Sequence, residues 1–254
     1  MGGYLDRTEP ATGVHDPLFA RAAAFRTGGV AAILIVLDVL CVSRDWSEKF
    51  KGAISKEIGL PKENVLVAAT HTHSGPAVFF PAAGEAGPID RCEDALLGRC
   101  AEAARKAYAS AEPARMRAAR ISSEGIAANR RDPSCPTDIV LSVMRVEDRR
   151  GAVKGHLVSL SCHPTVMGPS NLRYSADLFG AAASRTEKRF RNSVCMMFNG
   201  TSADVSTRFV RQNQTWAELD RLGGKLAGQI LAASRSSEPV AAGPISGKTV
   251  AITF

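Results

Sequence analysis

The stretch NVLVAATHTHS, residues 64–74, is the most informative part of the chain. Its apolar run at residues 65–69 predicts a buried strand, and Gly75-Pro76 ends the regular structure soon after it. The strand end therefore brings two of the chain's five histidines, His71 and His73, into one loop. Imidazole nitrogens are common zinc ligands, so this pattern favours a metal or catalytic site. The alternative is one buried, hydrogen-bonded histidine beside an exposed one.

The composition predicts a folded chain that does not bind nucleic acid. Of 254 residues, 45% are hydrophobic, which is enough for a sizeable core. The net charge is +7, but the basic residues are spread along the chain without a dense block interleaved with aromatic side chains. We therefore expect no nucleic-acid partner and at most peripheral contact with a membrane.

The given sequence predicts a cytoplasmic protein. It shows no signal peptide, although a longer natural N-terminus would change this prediction to secretion. The longest apolar run, residues 30–42, contains Asp38 and is too short to cross a bilayer. The six cysteines form no C-x-x-C pair, which argues against a zinc ribbon.

Predicted strands and helices are mixed along the whole chain. This order predicts an α/β fold of layered mixed sheets with flanking helices and a site at the strand ends. We expect a single domain over residues 1–254 that is incomplete at its C-terminal end. Strands are predicted at 19–25, 30–42, 65–69, 115–122, 139–146, 156–162, 194–198 and from 249; helices at 43–58, 93–110, 178–190 and 216–234; a loop at 77–91.

Three predicted strands end in polar clusters. The clusters are residues 70–74, residues 161–165 around His163-Pro164, and residues 199–206. Adjacent strands in one sheet would bring these loops together, so that His71 and His163 share a metal ion through neutral imidazole nitrogens. The alternative for His163 is a capping or packing role.

A zinc site needs at least a third protein ligand beside two histidines. Asp38 follows an apolar run and is expected to be buried, either as an acceptor for a histidine N–H or as a cap for the helix near Ser43. Asp177 is expected to cap the following helix rather than to bind metal. The candidates for the third ligand are His73, Asp38, Asp177 and Asp204.

A family resemblance rests on five segments that occur in order. They are GVHDPL (13–18) with Ala20-Arg21, the run ending in Leu37-Asp38, ATHTHSGP (69–76), CHPT (162–165) with Ser175-Ala176-Asp177 and Gly180, and Asn199-Gly200 with Asp204-Val205-Ser206. In these segments the sequence resembles the N-terminal catalytic domain of the neutral/alkaline non-lysosomal ceramidases. The match covers most of the chain.

The resemblance implies roles for six residues. His71 and His163 would be zinc ligands, and His73 and His15 would lie in the pocket beside the metal. Arg130 would match the family's active-site arginine, and Ser206 the serine that ends the family's Gly-Asp-Val-Ser block. In this chain Ala203 stands where that block has its glycine. The family completes its zinc site with a downstream Glu and Tyr that no segment here matches, which predicts a weak site and slow catalysis.

The leading functional hypothesis is a zinc-dependent amide hydrolase. Zinc would polarise the substrate carbonyl and acidify a water, His73 would move a proton, and Arg130 and Ser206 would hold the developing oxyanion or the polar head group. The resemblance implies N-acyl sphingosine or a related lipid amide as substrate. The alternatives are a serine hydrolase with Ser206 as nucleophile, which lacks a Gly-x-Ser-x-Gly motif, and a non-catalytic member of the family.

Overall fold

The structure is a computed structural model that describes residues 1–78, 90–241 and 243–246. The predicted loop at 77–91 and the predicted strand from 249 fall mainly or wholly outside these residues. Within the described ranges, no helix combines the length and apolar composition needed to cross a membrane. The elements are β1 (Gly13–Val14), β2 (Ala20–Thr27), β3 (Val30–Leu37), α1 (Arg44–Ile58), β4 (Val65–Ala69), α2 (Asp90–Ala109), β5 (Ala114–Ser122), β6 (Ala128–Asn129), β7 (Val140–Asp148), β8 (Val153–Leu160), β9 (Arg173–Tyr174), α3 (Asp177–Arg189), β10 (Val194–Asn199), β11 (Val205–Ser206), α4 (Trp216–Arg235) and β12 (Glu238–Pro239).

The smaller of the two main sheets has the strand order β2-β3-β4. β2 and β3 form an antiparallel hairpin, and β4 runs parallel to β3. Along β3, Ile33, Ile35 and Leu37 alternate onto one face and pack with α1 and α2 in a single apolar core. Ser43 caps α1 as predicted, because its hydroxyl accepts the N–H of Trp46.

The larger sheet has the order β10-β8-β7-β5-β12. β10 is parallel to β8, and the other neighbours are antiparallel. Helices α3 and α4 pack together against this sheet and share its apolar core. The predicted α/β fold with mixed sheets and flanking helices is therefore confirmed, while the short strands β1, β6, β9, β11 and β12 were not predicted.

The predicted strand at 30–42 is too long, since β3 ends at Leu37. Asp38 follows directly and is buried. Its Oδ2 accepts the N–H of Phe19 and pairs with Nη1 of Arg21 at 3.0 Å. Both predicted roles of Asp38, as a histidine acceptor and as a helix cap, are therefore wrong.

Arg21 connects the two sheets. From β2, its Nη1 pairs with Asp38 and its Nε pairs with Glu187 of α3 at 3.1 Å. Glu187 in turn accepts the N–H of Cys195 in β10, at 2.9 Å. The side chain of Arg21 is only 9% exposed and that of Asp38 only 2%, so this charge network lies largely inside the protein.

We predict that Arg21→Met lowers the free energy of unfolding by about 3–5 kcal/mol, because removing one partner of a buried ion pair leaves the other charge uncompensated. Urea denaturation measures this change. Arg21→Met combined with Asp38→Asn should recover part of the loss.

Arg26→Met is the matched control for this prediction. Arg26 lies on the same strand but is exposed, and its guanidinium lies over the Tyr108 ring at 5.0 Å. Losing such an exposed cation–π contact costs about 0.5–1 kcal/mol, well below the loss expected for Arg21→Met. Equal stability of the two single variants would show that the Arg21 network does not hold the sheets together.

Candidate metal centre

His71 directly follows Thr70 at the end of β4 and has an unusual backbone. Its φ of 68° lies in the left-handed region, which few residues other than glycine adopt. The conformation is held by a hydrogen bond from the His71 N–H to the carbonyl of Val39 at 3.0 Å. The ring Nδ1 lies 2.7 Å from the carbonyl oxygen of Leu40. A carbonyl only accepts, so Nδ1 carries the proton and Nε2 presents its lone pair.

His163 is held in the same manner at the end of β8. Its N–H donates to the carbonyl of Val205, and its ring Nδ1 lies 2.7 Å from the carbonyl oxygen of Ser202. Ser202 lies in the loop after β10, the parallel neighbour of β8, and Val205 begins the short strand β11 that follows this loop. The predicted meeting of these two loops is therefore observed. Burial lowers the pKa of His163, and the charge of Arg130 adds to this effect, so the ring stays neutral.

His73 is the third ring of the group. Its Nε2 lies 3.3 Å from Nε2 of His71. Burial, followed by the neighbouring His71 and His163, lowers its pKa to about 3. His73 is consequently neutral near pH 7, where its unprotonated nitrogen can act as an electron-pair donor.

The three rings form one compact cluster. Ring centroids are 4.9 Å apart for His71 and His73, 4.7 Å for His71 and His163, and 5.5 Å for His73 and His163. One nitrogen of each ring lies within 4.8 Å of the others. His71 and His163 have the form that is usual for histidine at metal sites, in which the second ring nitrogen is bound to a carbonyl. The residues present therefore fit a metal ion.

The loops that carry the three histidines are also joined by hydrogen bonds that do not involve the imidazole rings. The hydroxyl of Thr72 donates to the carbonyl of Ser175 at 2.8 Å, and the N–H of Ser175 donates to the carbonyl of Ser74 at 3.0 Å. Nδ2 of Asn171 also donates to the hydroxyl of Ser74. All of these residues are wholly or largely buried, so the contacts are protected from competing water.

Arg130 and Ser206 lie close to His163. They sit at or beside the short ladder of β6 and β11, and Ser206 forms a backbone bridge with His163. The N–H of Arg130 donates to the carbonyl of Asp204 at 2.7 Å. Ser206 is 4% exposed, and its hydroxyl accepts the N–H of Arg208. Their position fits the predicted roles, which stay predictions.

His15 lies outside the three-ring cluster. Its ring stacks on Trp216 with a centroid separation of 3.7 Å, and its Nδ1 lies 2.9 Å from Oδ2 of Asp16. The side chain is one-third exposed. The predicted pocket role of His15 stays a prediction.

The other carboxylates proposed as third ligands also lie outside the cluster. Asp204 is exposed. Asp177 is fully buried, and its carboxylate accepts three backbone N–H groups, from Val166, Met167 and Leu178. Asp177 was predicted to cap α3, but it is the first residue of that helix and Ala176 is the N-cap. Its carboxylate binds one helix N–H, that of Leu178, and braces the loop that follows His163.

A groove of about 730 Å³ lies at the opposite end of β8, lined by Gly155, His156 and Val194 among others. It contains none of the three clustered histidines. The volume of this groove therefore does not identify the candidate site. We place the candidate site at the histidine cluster because the potential metal ligands lie there.

We predict that Asp177→Asn destabilises the protein by about 1–3 kcal/mol, because an amide offers one acceptor oxygen where three N–H groups are aimed. The φ of 49° at Asp177 suits Asn as well as Asp, so the change removes the charge and the acceptor oxygen of the carboxylate without straining the backbone. Urea denaturation measures it, with the exposed Asp204→Asn as a control that should stay near wild type. Similar stability of Asp177→Asn and Asp204→Asn would show that Asp177 does not brace the loop that follows His163.

Comparison with known proteins identifies the family and the fold of the chain. The model of the family "neutral/alkaline non-lysosomal ceramidase, N-terminal" matches residues 1–213. Two solved structures share the fold with TM-scores of 0.79: a ceramidase complexed with C2, at 20% identity, and the neutral ceramidase of Pseudomonas aeruginosa, at 19%. Both alignments cover 93% of this chain but only 41% and 42% of the solved chains, so this chain spans about two fifths of their length. The predicted resemblance is confirmed: the chain belongs to the neutral/alkaline non-lysosomal ceramidase family and corresponds to its N-terminal region.

Proposed function

We propose that the protein is a zinc-dependent hydrolase of an amide bond in a lipid such as N-acyl sphingosine. One observation carries this proposal: His71 and His163 both bind a carbonyl through Nδ1 and converge through their other ring nitrogens. Membership of the ceramidase family supports the hydrolase class and the lipid amide as substrate.

Zinc suits this donor set better than a hard cation does. Imidazole nitrogens are typical zinc ligands, whereas magnesium and calcium prefer carboxylate and carbonyl oxygens. His71 and His163 would hold the ion, and their carbonyl partners would fix the tautomer and orientation of each ring. Bound there, zinc would supply Lewis-acid polarisation of the substrate carbonyl and acidify a water molecule.

The surrounding side chains have separate tasks in this proposal. Arg130 lies near enough to His163 to depress its pKa, so its guanidinium can hold a developing oxyanion or the polar head of the substrate. The Ser206 hydroxyl accepts one hydrogen bond and still has a proton to donate to a substrate oxygen. His73 lies beside His71 and is the candidate for moving a proton during hydrolysis.

The serine-nucleophile alternative has less support. A serine nucleophile needs a general base within hydrogen-bond reach. In the described structure the Ser206 hydroxyl is bonded to the N–H of Arg208, and its hydrogen bonds include no histidine ring. The metal hypothesis accounts for the convergence of the His71 and His163 rings, whereas the serine hypothesis gives these two rings no role.

We predict that the chain binds one zinc ion and that His71→Ala and His163→Ala each lose it. Removing a ligand should weaken zinc binding by more than the ~10–100-fold loss typical of outer-shell partners. Zinc content after dialysis measures binding, and release of sphingosine from a short-chain N-acyl sphingosine measures hydrolysis. Hydrolysis should stop with a chelator and return with added zinc.

Two controls separate the alternatives. His15→Ala removes a histidine outside the cluster and should retain zinc, while Ser206→Ala should also retain it. Hydrolysis that survives the chelator but is lost in Ser206→Ala would establish the serine mechanism instead. Tight zinc binding without any hydrolysis would identify a non-catalytic member of the family.

A further inference from the structure

His15 is attached to the backbone segment that runs from β9 into α3, here called the β9–α3 segment and comprising residues 174–177. The N–H of His15 donates to the carbonyl of Tyr174 at 2.9 Å. In the next residue, Oδ1 of Asp16 accepts the N–H of Ala176 at 2.9 Å. The segment therefore holds both the backbone of His15 and the carboxylate beside it.

The β9–α3 segment also contacts both histidine-bearing loops. The N–H of Ser175 donates to the carbonyl of Ser74, in the loop after β4, at 3.0 Å. The carboxylate of Asp177 accepts the N–H of Val166, in the loop after β8, at 2.9 Å. One short segment thus connects His15 to the two loops that carry the metal cluster, although its own ring lies outside that cluster.

Asp16 determines which nitrogen of the His15 ring is free. Oδ2 of Asp16 lies 2.9 Å from Nδ1 of His15. A carboxylate accepts hydrogen bonds and does not donate them, so in the neutral ring Nδ1 carries the proton and Nε2 presents its lone pair. In the part of the chain that the structure describes, no protein group is hydrogen-bonded to Nε2. This nitrogen can therefore accept a hydrogen bond from a bound molecule.

Trp216 fixes the plane of the same ring. The indole and the imidazole are 3° from parallel, with their centroids 3.7 Å apart. Trp216 is the first residue of α4, which Thr215 caps, and its side chain packs against the larger apolar core. Because the indole is anchored in this way, it supports one face of the imidazole while Asp16 holds its edge. The His15 ring is consequently fixed in two directions.

The fixed ring remains accessible, since the side chain of His15 is one-third exposed. A side chain that is ordered before a ligand arrives loses less conformational entropy on binding. N-acyl sphingosine carries hydroxyl groups and an amide N–H, and each of these can donate to a ring nitrogen. The geometry therefore suits the polar end of such a lipid rather than its acyl chain.

We propose that Trp216 and Asp16 are positioning residues, which hold the His15 ring so that Nε2 accepts a hydrogen bond from the polar end of the substrate. Trp216 sets the plane of the ring, and Asp16 sets its tautomer. This inference rests on the proposed hydrolysis of a lipid amide, and it assigns roles to two residues outside the metal cluster.

Fluorescence tests whether the stack exists in solution. The chain has two tryptophans, Trp46 and Trp216, so Trp46→Phe leaves Trp216 as the only indole. In this background His15→Ala should make Trp216 more sensitive to quenching by acrylamide, because its stacked face becomes exposed. Equal quenching with and without His15 would overturn the role of Trp216.

Calorimetric titration of the metal-free protein with a short-chain N-acyl sphingosine tests the function of the stack. Trp216→Leu should weaken binding about 3- to 10-fold, equivalent to one hydrogen bond. Trp216→Phe should recover most of this loss, because it keeps a flat ring. In the His15→Ala background, Trp216→Leu should have no further effect. A loss that persists in that background would show that Trp216 acts independently of His15.

Asp16→Asn tests the tautomer. The amide oxygen of Asn can still accept the N–H of Ala176, whereas its NH2 group would face Nδ1 of His15 and move the ring proton to Nε2. Binding of the lipid should weaken, and nitrogen NMR of isotope-labelled histidine should show the proton on Nε2. A proton that stays on Nδ1 would overturn the role of Asp16.

Trp46→Leu is the matched control, because Trp46 lies on α1 and packs against the smaller apolar core. It should bind the lipid as the wild type does. Should Trp216→Leu fail to fold by circular dichroism, the fluorescence test and Asp16→Asn still decide the proposal.

Zinc content reports separately on the proposed metal centre. Trp216→Leu and Asp16→Asn should retain zinc, whereas His71→Ala should lose it. Wild-type protein that binds zinc but not the lipid would overturn this inference and leave the metal centre intact. Zinc that survives in both His71→Ala and His163→Ala would instead contradict the proposed function.

Discussion

The candidate site depends on the charge network that Arg21 forms between the two sheets. His71 and His73 follow the end of a strand in the smaller sheet, whereas His163 follows a strand of the larger one. Arg21 connects Asp38, at the end of β3, with Glu187 on α3, and Glu187 connects to β10. The three rings meet only when the sheets keep their relative position, and this buried network joins the sheets together with the hydrogen bonds between the loops. Buried ion pairs often add little stability, but they can specify a unique arrangement.

Backbone carbonyl groups orient two of the three histidine rings at the site. The carbonyl oxygens of Leu40 and Ser202 determine which nitrogen of His71 and His163 faces the cluster. Burial and the neighbouring rings keep His73 neutral. The described residues of this cluster bring imidazole nitrogens together and include no carboxylate. Such a donor set favours a borderline cation, which accounts for the preference for zinc in our proposal.

The sequence predicted those parts of the site that depend on local pattern. The apolar run before His71 and the apolar strand before His163 predicted strand ends with polar loops, and the parallel pairing of β8 and β10 brings two of those loops together. Asp38 was misassigned because its partner, Arg21, lies on another strand and charge pairing across strands leaves no local signal. The stacking of His15 on Trp216 was missed for a similar reason, since the two rings come from distant parts of the sequence.

The most direct test of the account is X-ray absorption at the zinc K-edge on the chain loaded with one equivalent of zinc. The account predicts a first shell of nitrogen or oxygen atoms at about 2.0–2.1 Å, with the multiple scattering of at least two imidazole rings. That imidazole scattering should weaken in His71→Ala and in His163→Ala. A first shell without imidazole scattering, or a spectrum unchanged in both variants, would contradict the claim that this histidine cluster is a metal centre.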